Sequence, residues 1–540
     1  MEGGAWVWGD EVQAEERCGA YVVAGLILAA LAAAAGLCLV TLVSRVAVGV
    51  RATRRMRRVL APMPGPAALP ILGNIPELLT SQDKFWTKIT TLMSRYAPTF
   101  CFWLGPTPFV VITDPRDYEH VMGSARFNDK SSWYPLARAA LGTGLITLNG
   151  EPWRRHRKAI APSLHQHVLV QNVEVFRRKA CELSHMLSRA ARSAETVDIL
   201  EFCNLVSMDS VCETLLSADL SHHGAALGRF VDLTTDAARS VTTRICKPWL
   251  LWDSLYALTR AGRTAARTMQ ETDAFIDGVI AKRKDGDRKD AAKVTKRSFL
   301  EHALASENLA NLMTAEEWRE EAKAMVVAGQ GTVAHCLSFA LLLLAMHPDS
   351  QDRLRRELED VFGEDPDRSV TEHELPHLQY TERVILETLR LFPLVPVFGR
   401  DCPEDVQLPS GHAVPRGAHL FMFPFHTQRD PAWFPEPLRF DPDRFLPERV
   451  RGRPPLSFSA FSAGPRSCIG QRYAMMYLKT VLATVMRRFA VHRAPGDVRG
   501  VADLPIEIGV ILSLDGGFQV RVSELGDPPS SAQAATRHIH

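Results

Sequence analysis

The sequence predicts a mainly helical protein with a small strand-rich part, carried behind one N-terminal apolar segment. Three observations predict this. A capped, apolar, helix-like run extends from Thr314 to Met346, and it is one of several helical stretches. Short strand-like runs around tight turns gather at 100–113 and 408–431. Tyr21 to Val43 is uncharged and apolar, long enough to cross a bilayer, which takes about 20 residues.

The 540 residues suffice for one large domain or a few ordinary ones. A net charge of +2 argues against nucleic acid as the main partner. The ten cysteines (18, 38, 101, 181, 203, 212, 246, 336, 402 and 468) are scattered, with no CxxC pair. That pattern suggests neither a zinc ribbon nor a disulfide framework, and it fits a reducing compartment.

Acidic residues precede the apolar run (Glu2, Asp10, Glu11, Glu15, Glu16), and arginines follow it (Arg45, Arg51, Arg54, Arg55, Arg57, Arg58). The positive-inside rule then makes 1–20 lumenal, 21–43 a transmembrane anchor and the remainder cytosolic. A cleaved signal peptide is the alternative, but the length and the acidic flank favour an uncleaved anchor. Residues 44–70 read as a basic and proline-rich linker, because Pro62-Met-Pro-Gly-Pro-Ala-Ala-Leu-Pro70 cannot be helical. A catalytic domain over 62–525 and a disordered tail over 526–540 complete the plan.

Phe100 to Thr113 reads as two strands around a Gly-Pro turn, and Asp114-Pro115 starts a helix. Trp153 and Arg157 stand at i and i+4, so on a helix an indole N–H and a guanidinium share a face and can hold a carboxylate. A solvated basic face is the alternative; Arg154, Arg155 and Lys158 could meet an acidic electron donor. Residues 165–300 alternate helical stretches, with Lys282 to Lys296 an exposed charged loop.

Thr314-Ala-Glu-Glu317 is a capping box, and the helix it opens runs to His347-Pro348, roughly 45–50 Å. Within it stands Ala328-Gly329-Gln330-Gly331-Thr332. Each glycine weakens a helix by about 1 kcal/mol; an opened ladder leaves room for a small ligand such as dioxygen. Tight helix packing is the alternative, and the default for two such glycines taken alone. Glu387 and Arg390 can pair at i, i+3 on a helix over 378–391, which at a surface is worth little. Val395 to Phe398 line a pocket or form core strand.

Phe461-Ser-Ala-Gly-Pro-Arg-Ser-Cys468-Ile-Gly470 is a turn-rich loop running into the helix-like Gln471–Phe489. Free N–H groups and the positive helix end favour a thiolate at Cys468. Gly464 and Gly470 permit tight turns and close approach of a flat ligand, while Arg466 adds a cation. A lone thiolate suits an axial position on haem iron better than a zinc cage. A buried structural cysteine is the alternative.

Phe461-x-x-Gly464-x-Arg466-x-Cys468-x-Gly470 resembles the haem-binding loop of the cytochrome P450 superfamily. The other motifs fall in that family's order, from about Pro62 to Val522, most like the microsomal, animal family-4 clan. The resemblance implies a mainly α catalytic domain with a small β-rich region, haem lying between the Thr332 helix and the Cys468 loop. It implies Cys468 as iron ligand, with Trp153, Arg157 and Arg400 on the haem propionates and Arg466 as a further candidate. Thr332 matches the threonine of the family's oxygen groove, beside Gly329 and Gly331. Gly331 departs from the pattern, since an acid is usual there. Ala328 stands where many family-4 members carry a glutamate that esterifies haem, so haem b (iron protoporphyrin IX) is expected to be non-covalent. Glu387, Arg390 and Arg444 match a buried structural triad, Arg439 being the rival third member.

The implied activity is monooxygenation of a lipophilic substrate, such as a fatty acid, hydrocarbon or terpenoid, at the endoplasmic reticulum membrane. Electrons are expected from an NADPH-cytochrome P450 reductase, with cytochrome b5 as a further candidate partner. The alternatives are a haem-thiolate isomerase or dehydratase acting on a peroxide without external electrons, suggested by Gly331, and a non-catalytic haem-binding protein.

Overall fold

The computed structural model describes residues 7–80, 82–218, 224–290 and 312–526, and the chain divides after Pro62 into two units. The first holds one helix, α1 (Val7–Leu60). From Ala30 it is long and apolar enough to span a bilayer, with none of that window buried. The basic stretch 44–60, read from sequence as linker, is instead the continuation of α1. Arginine is a good helix former, and no proline interrupts the run before Pro62.

Among the described residues, the helices of six or more residues in the second unit are α2 (Gln82–Tyr96), α3 (Pro115–Met122), α4 (Gly150–Ile160), α5 (Val173–Ser193), α6 (Ile199–Leu216), α7 (Gly224–Cys246), α8 (Asp253–Leu258), α9 (Arg260–Asp290), α10 (Ala315–Met346), α11 (Pro348–Phe362), α12 (Gln379–Leu391) and α13 (Gln471–Met486). The expected charged loop at 282–296 is corrected in part. Residues 282–290 extend α9, and 291–296 lie outside the described residues, as does the tail from 527 onward.

Asp114 caps α3 by accepting from the Arg116 N–H at 2.8 Å, with Pro115 at the first helical position. The Thr314 capping box is formed: the Glu317 N–H reaches the Thr314 hydroxyl at 3.2 Å, and the Thr314 N–H reaches the Glu317 carboxylate at 2.7 Å.

Strands β1 (Thr99–Leu104) and β2 (Thr107–Ile112) form the hairpin expected at 100–113. They pair antiparallel from Thr99↔Ile112 to Leu104↔Thr107, turning through Gly105 at φ +61°. β2 lies parallel to β7 (His419–Met422), and β4 (Phe398–Asp401) closes this four-stranded sheet antiparallel to β7. A second sheet has the order β3 (Val197–Asp198), β11 (Gln519–Glu524), β8 (Phe489–Arg493). Two small hairpins join β5 (Val406–Gln407) to β6 (Ala413–Val414), and β9 (Ile506–Ile508) to β10 (Leu512–Leu514).

α10 is the axis of the core. It packs along α6 and against α12, α13 and β8 within one large apolar cluster. Its hydropathy would also suit a membrane span, but 72% of the relevant window is buried inside the domain. At the glycines the packing is close: a Cβ on Gly329 would sit 3.4 Å from Val211 of α6. Gln330 donates to the Asn204 side chain at 2.8 Å, tying the same two helices. The ladder that these glycines could open stays α-helical throughout.

Candidate functional site

The loop before α13 is built around Cys468. The Cys468 N–H donates to the Phe461 carbonyl at 2.9 Å, closing the loop on itself. Gly464 has φ +67°, and a Cβ there would lie 1.9 Å from the Met122 carbonyl oxygen at the end of α3. Gly464 is thus required for the approach of loop to helix as well as for its own turn. A Cβ on Gly470 would stand 4.0 Å from the sulfur, so this glycine leaves the thiol's flank clear. α13 begins directly afterwards, at Gln471.

Cys468 is an exposed residue, yet burial is the largest influence on its thiol and pushes it above its ordinary range. A hollow enclosed by protein accounts for both. A Gly470 N–H and the charges of Arg157 and Lys130 oppose the rise without cancelling it. Burial thus opposes the thiolate that the helix end favours, and a bound cation would favour the anion.

Four cations converge here. Arg157 of α4 donates to the Ser467 carbonyl at 3.0 Å, next to the sulfur. Arg400 of β4 is buried, and its strand bridges Lys130. Arg466 lies over the Trp153 ring at 3.9 Å. Burial and then the charges of Arg400 and Arg466 push the Lys130 amine well below its ordinary range. Burial, followed by Arg400, brings Arg466 down to about 9; burial also lowers Arg157 and Arg400. Among the described residues, the one carboxylate within ion-pair range of any of the four is Asp129, 4.0 Å from Arg466. Uncompensated cations beside a soft ligand atom suit a group with anionic arms and a Lewis-acidic centre.

Sequence reasoning missed two members of this cluster. Lys130 donates to the Ile146 carbonyl at 2.9 Å. Asn149 holds the parts together: its amide exchanges hydrogen bonds with the Lys130 backbone at 2.8 and 2.9 Å and accepts from Arg466 at 2.9 Å. Arg466 also donates to the Asn128 and Leu148 carbonyls, so much of its guanidinium fastens segments together. No local pattern around Lys130 or Asn149 marks these long-range contacts.

On α10, Met325, Ala328, Gly329, Thr332 and His335 are partly open amid buried neighbours. Their three- and four-residue spacing makes one face. The Thr332 hydroxyl donates to the Ala328 carbonyl at 2.8 Å. His335, which sequence reasoning also missed, lies 2.8 Å by Nδ1 from the Gly331 carbonyl. A carbonyl only accepts, so Nδ1 carries the proton and Nε2 keeps its lone pair. Burial holds this imidazole below its ordinary range, opposed by that carbonyl and by Asp198. A Cβ on Gly331 would lie 2.8 Å from Ile511 Cδ1, so that methyl fills the space beside Gly331.

Val395 and Val397 are partly open while Pro396 and Phe398 are buried, so the segment alternates between the two expected readings. Glu387 and Arg390 are fully buried and paired at 2.6 and 2.8 Å. Arg444 approaches Glu387 at 3.4 Å, whereas Arg439 turns outward to Glu436 at 3.1 Å. Burial raises the Glu387 carboxyl, and its arginine neighbours oppose that. Glu387, Arg390 and Arg444 are thus brought together, and Arg439 contributes only its carbonyl.

The family model for cytochrome P450 matches residues 63–513 of this chain. Cytochrome P450 4V2 of Homo sapiens is 33% identical over 475 residues, covering 85% of this chain and 89% of that protein. Cytochrome P450 4V2 of Rattus norvegicus is 31% identical, over 80% of this chain and 84% of its own length. Cytochrome P450 4c3 of Drosophila melanogaster is 29% identical, over 87% and 90%.

Proposed function

The chain belongs to the cytochrome P450 family and is a haem monooxygenase; from that premise we propose an enzyme of the endoplasmic reticulum membrane, anchored by a single span, with its catalytic domain cytosolic. It inserts one oxygen atom from O2 into a fatty acid, hydrocarbon or terpenoid-like substrate. Electrons come from NADPH through a cytochrome P450 reductase, with cytochrome b5 as a second donor. The observation that carries this reading is the cluster of Lys130, Arg157, Arg400 and Arg466 beside the exposed Cys468, with Asp129 the one carboxylate in ion-pair range among the described residues.

Haem bound there supplies oxygen activation, with thiolate ligation favouring O–O cleavage. Cys468 is its iron ligand. Arg157, Arg400 and Lys130, with the Trp153 indole, hold the propionates; Arg466 fixes the loop to Asn149. Phe461, Gly464 and Gly470 shape the loop around the sulfur. Ala328 offers no carboxylate for an ester, so haem b is held non-covalently. Glu387, Arg390 and Arg444 support the fold beneath the site.

Reduction of the second oxygen atom to water consumes protons. Thr332 holds one at Oγ1 on the open face of α10. His335 is the one titratable side chain on that face, and it takes a proton at Nε2 in place of an acid at 331. Gly329 lets α10 lie against Val211 of α6 beside that face.

The test is a reduced carbon monoxide difference spectrum, followed by a substrate-binding screen. The thiolate band is expected in the full chain and is lost in Cys468→Ser; a band that survives the substitution overturns the ligand assignment. Acid–solvent extraction should release the pigment. One feature favours a second reading, a peroxide isomerase or dehydratase: Ile511 fills the space beside Gly331. Turnover of a hydroperoxide with no electron source would support that reading, and NADPH- and reductase-dependent product would exclude it.

A further inference from the structure

One residue along from Lys130 and from Arg400, three segments meet in a second polar cluster. Asp401 of β4 and His419 of β7 stand directly opposite each other in the antiparallel pairing. His419 Nδ1 lies 2.6 Å from the Asp401 carboxylate and 3.2 Å from the Ser131 hydroxyl. The other Asp401 oxygen accepts the Ser132 N–H at 3.0 Å, and the Ser131 N–H donates to the Gly399 carbonyl at 3.2 Å. Ser131 and His419 are buried. The imidazole packs against Phe109 at 5.1 Å and meets Trp133 edge-on at 6.3 Å, so its direction is fixed. Burial raises the Asp401 carboxyl, but His419, the Ser132 N–H and Ser131 bring it below its ordinary range. An ionised carboxylate only accepts, so Nδ1 carries the proton.

The neighbouring cations need such a restraint. Lys130 and Arg400 face each other across an antiparallel bridge, and after burial the charge of Arg400 is the largest influence lowering the Lys130 amine. Each cation disfavours the other, so contacts outside the pair must keep 130–133 against β4. Asp401 holds Ser132, while His419 holds Asp401 and touches Ser131. Hydrogen bonds to an ionised group are the stronger kind. A site whose donors are placed beforehand loses less freedom when its ligand binds.

We propose that His419, Asp401 and Ser131 are positioning residues for the cofactor, given that Lys130 and Arg400 hold the haem propionates: the three side chains clasp the 130–133 segment to β4 and so keep both cations in place for those anionic arms. They touch neither iron nor substrate and act through Lys130 and Arg400.

The test follows haem transfer from the full chain in detergent to excess apomyoglobin, read by absorbance. His419→Leu should speed haem loss about tenfold, the factor for one hydrogen bond to a charged group. Ser131→Ala, a milder change, should speed it about threefold, as for a neutral hydrogen bond. His419→Asn places an amide N–H near the Nδ1 position and should stay within about twofold of the parent. Lys130→Met should also speed loss, and adding His419→Leu to it should then cost less than about twofold more, because the clasp has lost the cation it positions. A residue that only stabilises the fold would instead multiply the two factors. The thiolate carbon monoxide band establishes that the Cys468 loop is formed in each variant; if His419→Leu lacks it, Ser131→Ala takes its place in the combination. Loss at the parent rate in the clasp variants, no rescue by asparagine, or full multiplication with Lys130→Met overturns the proposal. Loss at the parent rate in Lys130→Met itself overturns the propionate assignment of Lys130, and the clasp with it.

Discussion

Replacing Arg390 with methionine should be among the most damaging single changes in the domain, although the role proposed for Arg390 is structural. Its guanidinium makes five hydrogen bonds: two to Glu387, two through Nη1 to the Gln428 and Pro437 carbonyls at 2.8 Å each, and one to the Arg439 carbonyl at 3.3 Å. Methionine fills similar space but leaves a buried carboxylate without its principal cation, which costs about 3–5 kcal/mol. Arg444, 3.4 Å from Glu387, and the Asp441 N–H at 3.0 Å limit that loss. The Gln428 and Pro437 carbonyls each lose a donor, at about 1 kcal/mol apiece. The sum is about 5–7 kcal/mol. Unfolding entropy of roughly 2.1 cal/mol/K per residue gives a domain of this size about 1 °C per kcal/mol. The variant should therefore lose its haem absorbance about 5–7 °C below the parent, measured as pigment retained along a heating series. Arg439→Gln is the control, since that guanidinium is solvent-exposed and should shift the curve by less than about 1 °C. An Arg390→Met protein that matches the parent, or an Arg439→Gln protein that matches Arg390→Met, would refute the reasoning.

Gly464→Ala should abolish the thiolate carbon monoxide band with Cys468 still present, because the new Cβ meets the Met122 carbonyl at 1.9 Å and the backbone needs φ +67°; the difference spectrum reads it directly. Gly331→Asp alone should not improve the ratio of product to NADPH consumed, since its Cβ meets Ile511 Cδ1 at 2.8 Å. Gly331→Asp combined with Ile511→Val, which removes that methyl, should improve it, and equal ratios for the two would reject the steric account. His335→Ala should divert electrons to hydrogen peroxide by several-fold while leaving substrate-induced spectral binding unchanged; unchanged peroxide release would remove His335 from proton delivery.

What the sequence made legible is what short-range chemistry determines. The Thr314–Glu317 box, the β1–β2 hairpin and the proline start of α3 each depend on residues within a few positions of one another, and each formed as expected. The Glu387–Arg390 pair is local too, but its depth is not: an i, i+3 pair that is ordinarily a weak surface bridge lies fully buried because Gln428, Pro437 and Arg439 close over it. Lys130 and Asn149 were invisible because their importance comes from Arg400 and Arg466, which join them across hundreds of residues. The charged stretch 282–290 looked like loop by composition, yet it continues a helix whose apolar register is set farther upstream. Charge density reports exposure better than it reports backbone conformation.

The opposing influences at Cys468 show why the site cannot be understood residue by residue. The dipole argument treats the sulfur as if it were near solvent, where a helix end and neighbouring cations lower a thiol. Enclosure changes the balance: it raises the thiol and, at the same time, depresses Lys130, Arg157, Arg400 and Arg466, which also crowd one another. Burial therefore disfavours the charged form of every one of these groups. A ligand carrying a cationic centre for the sulfur and anionic arms for the cluster relieves both conflicts at once, and its binding energy is then stability of the assembled domain. On this account a bound cofactor offsets the cost of enclosing these charges, and Glu387, Arg390 and Asn149 are proposed to hold the arrangement in place.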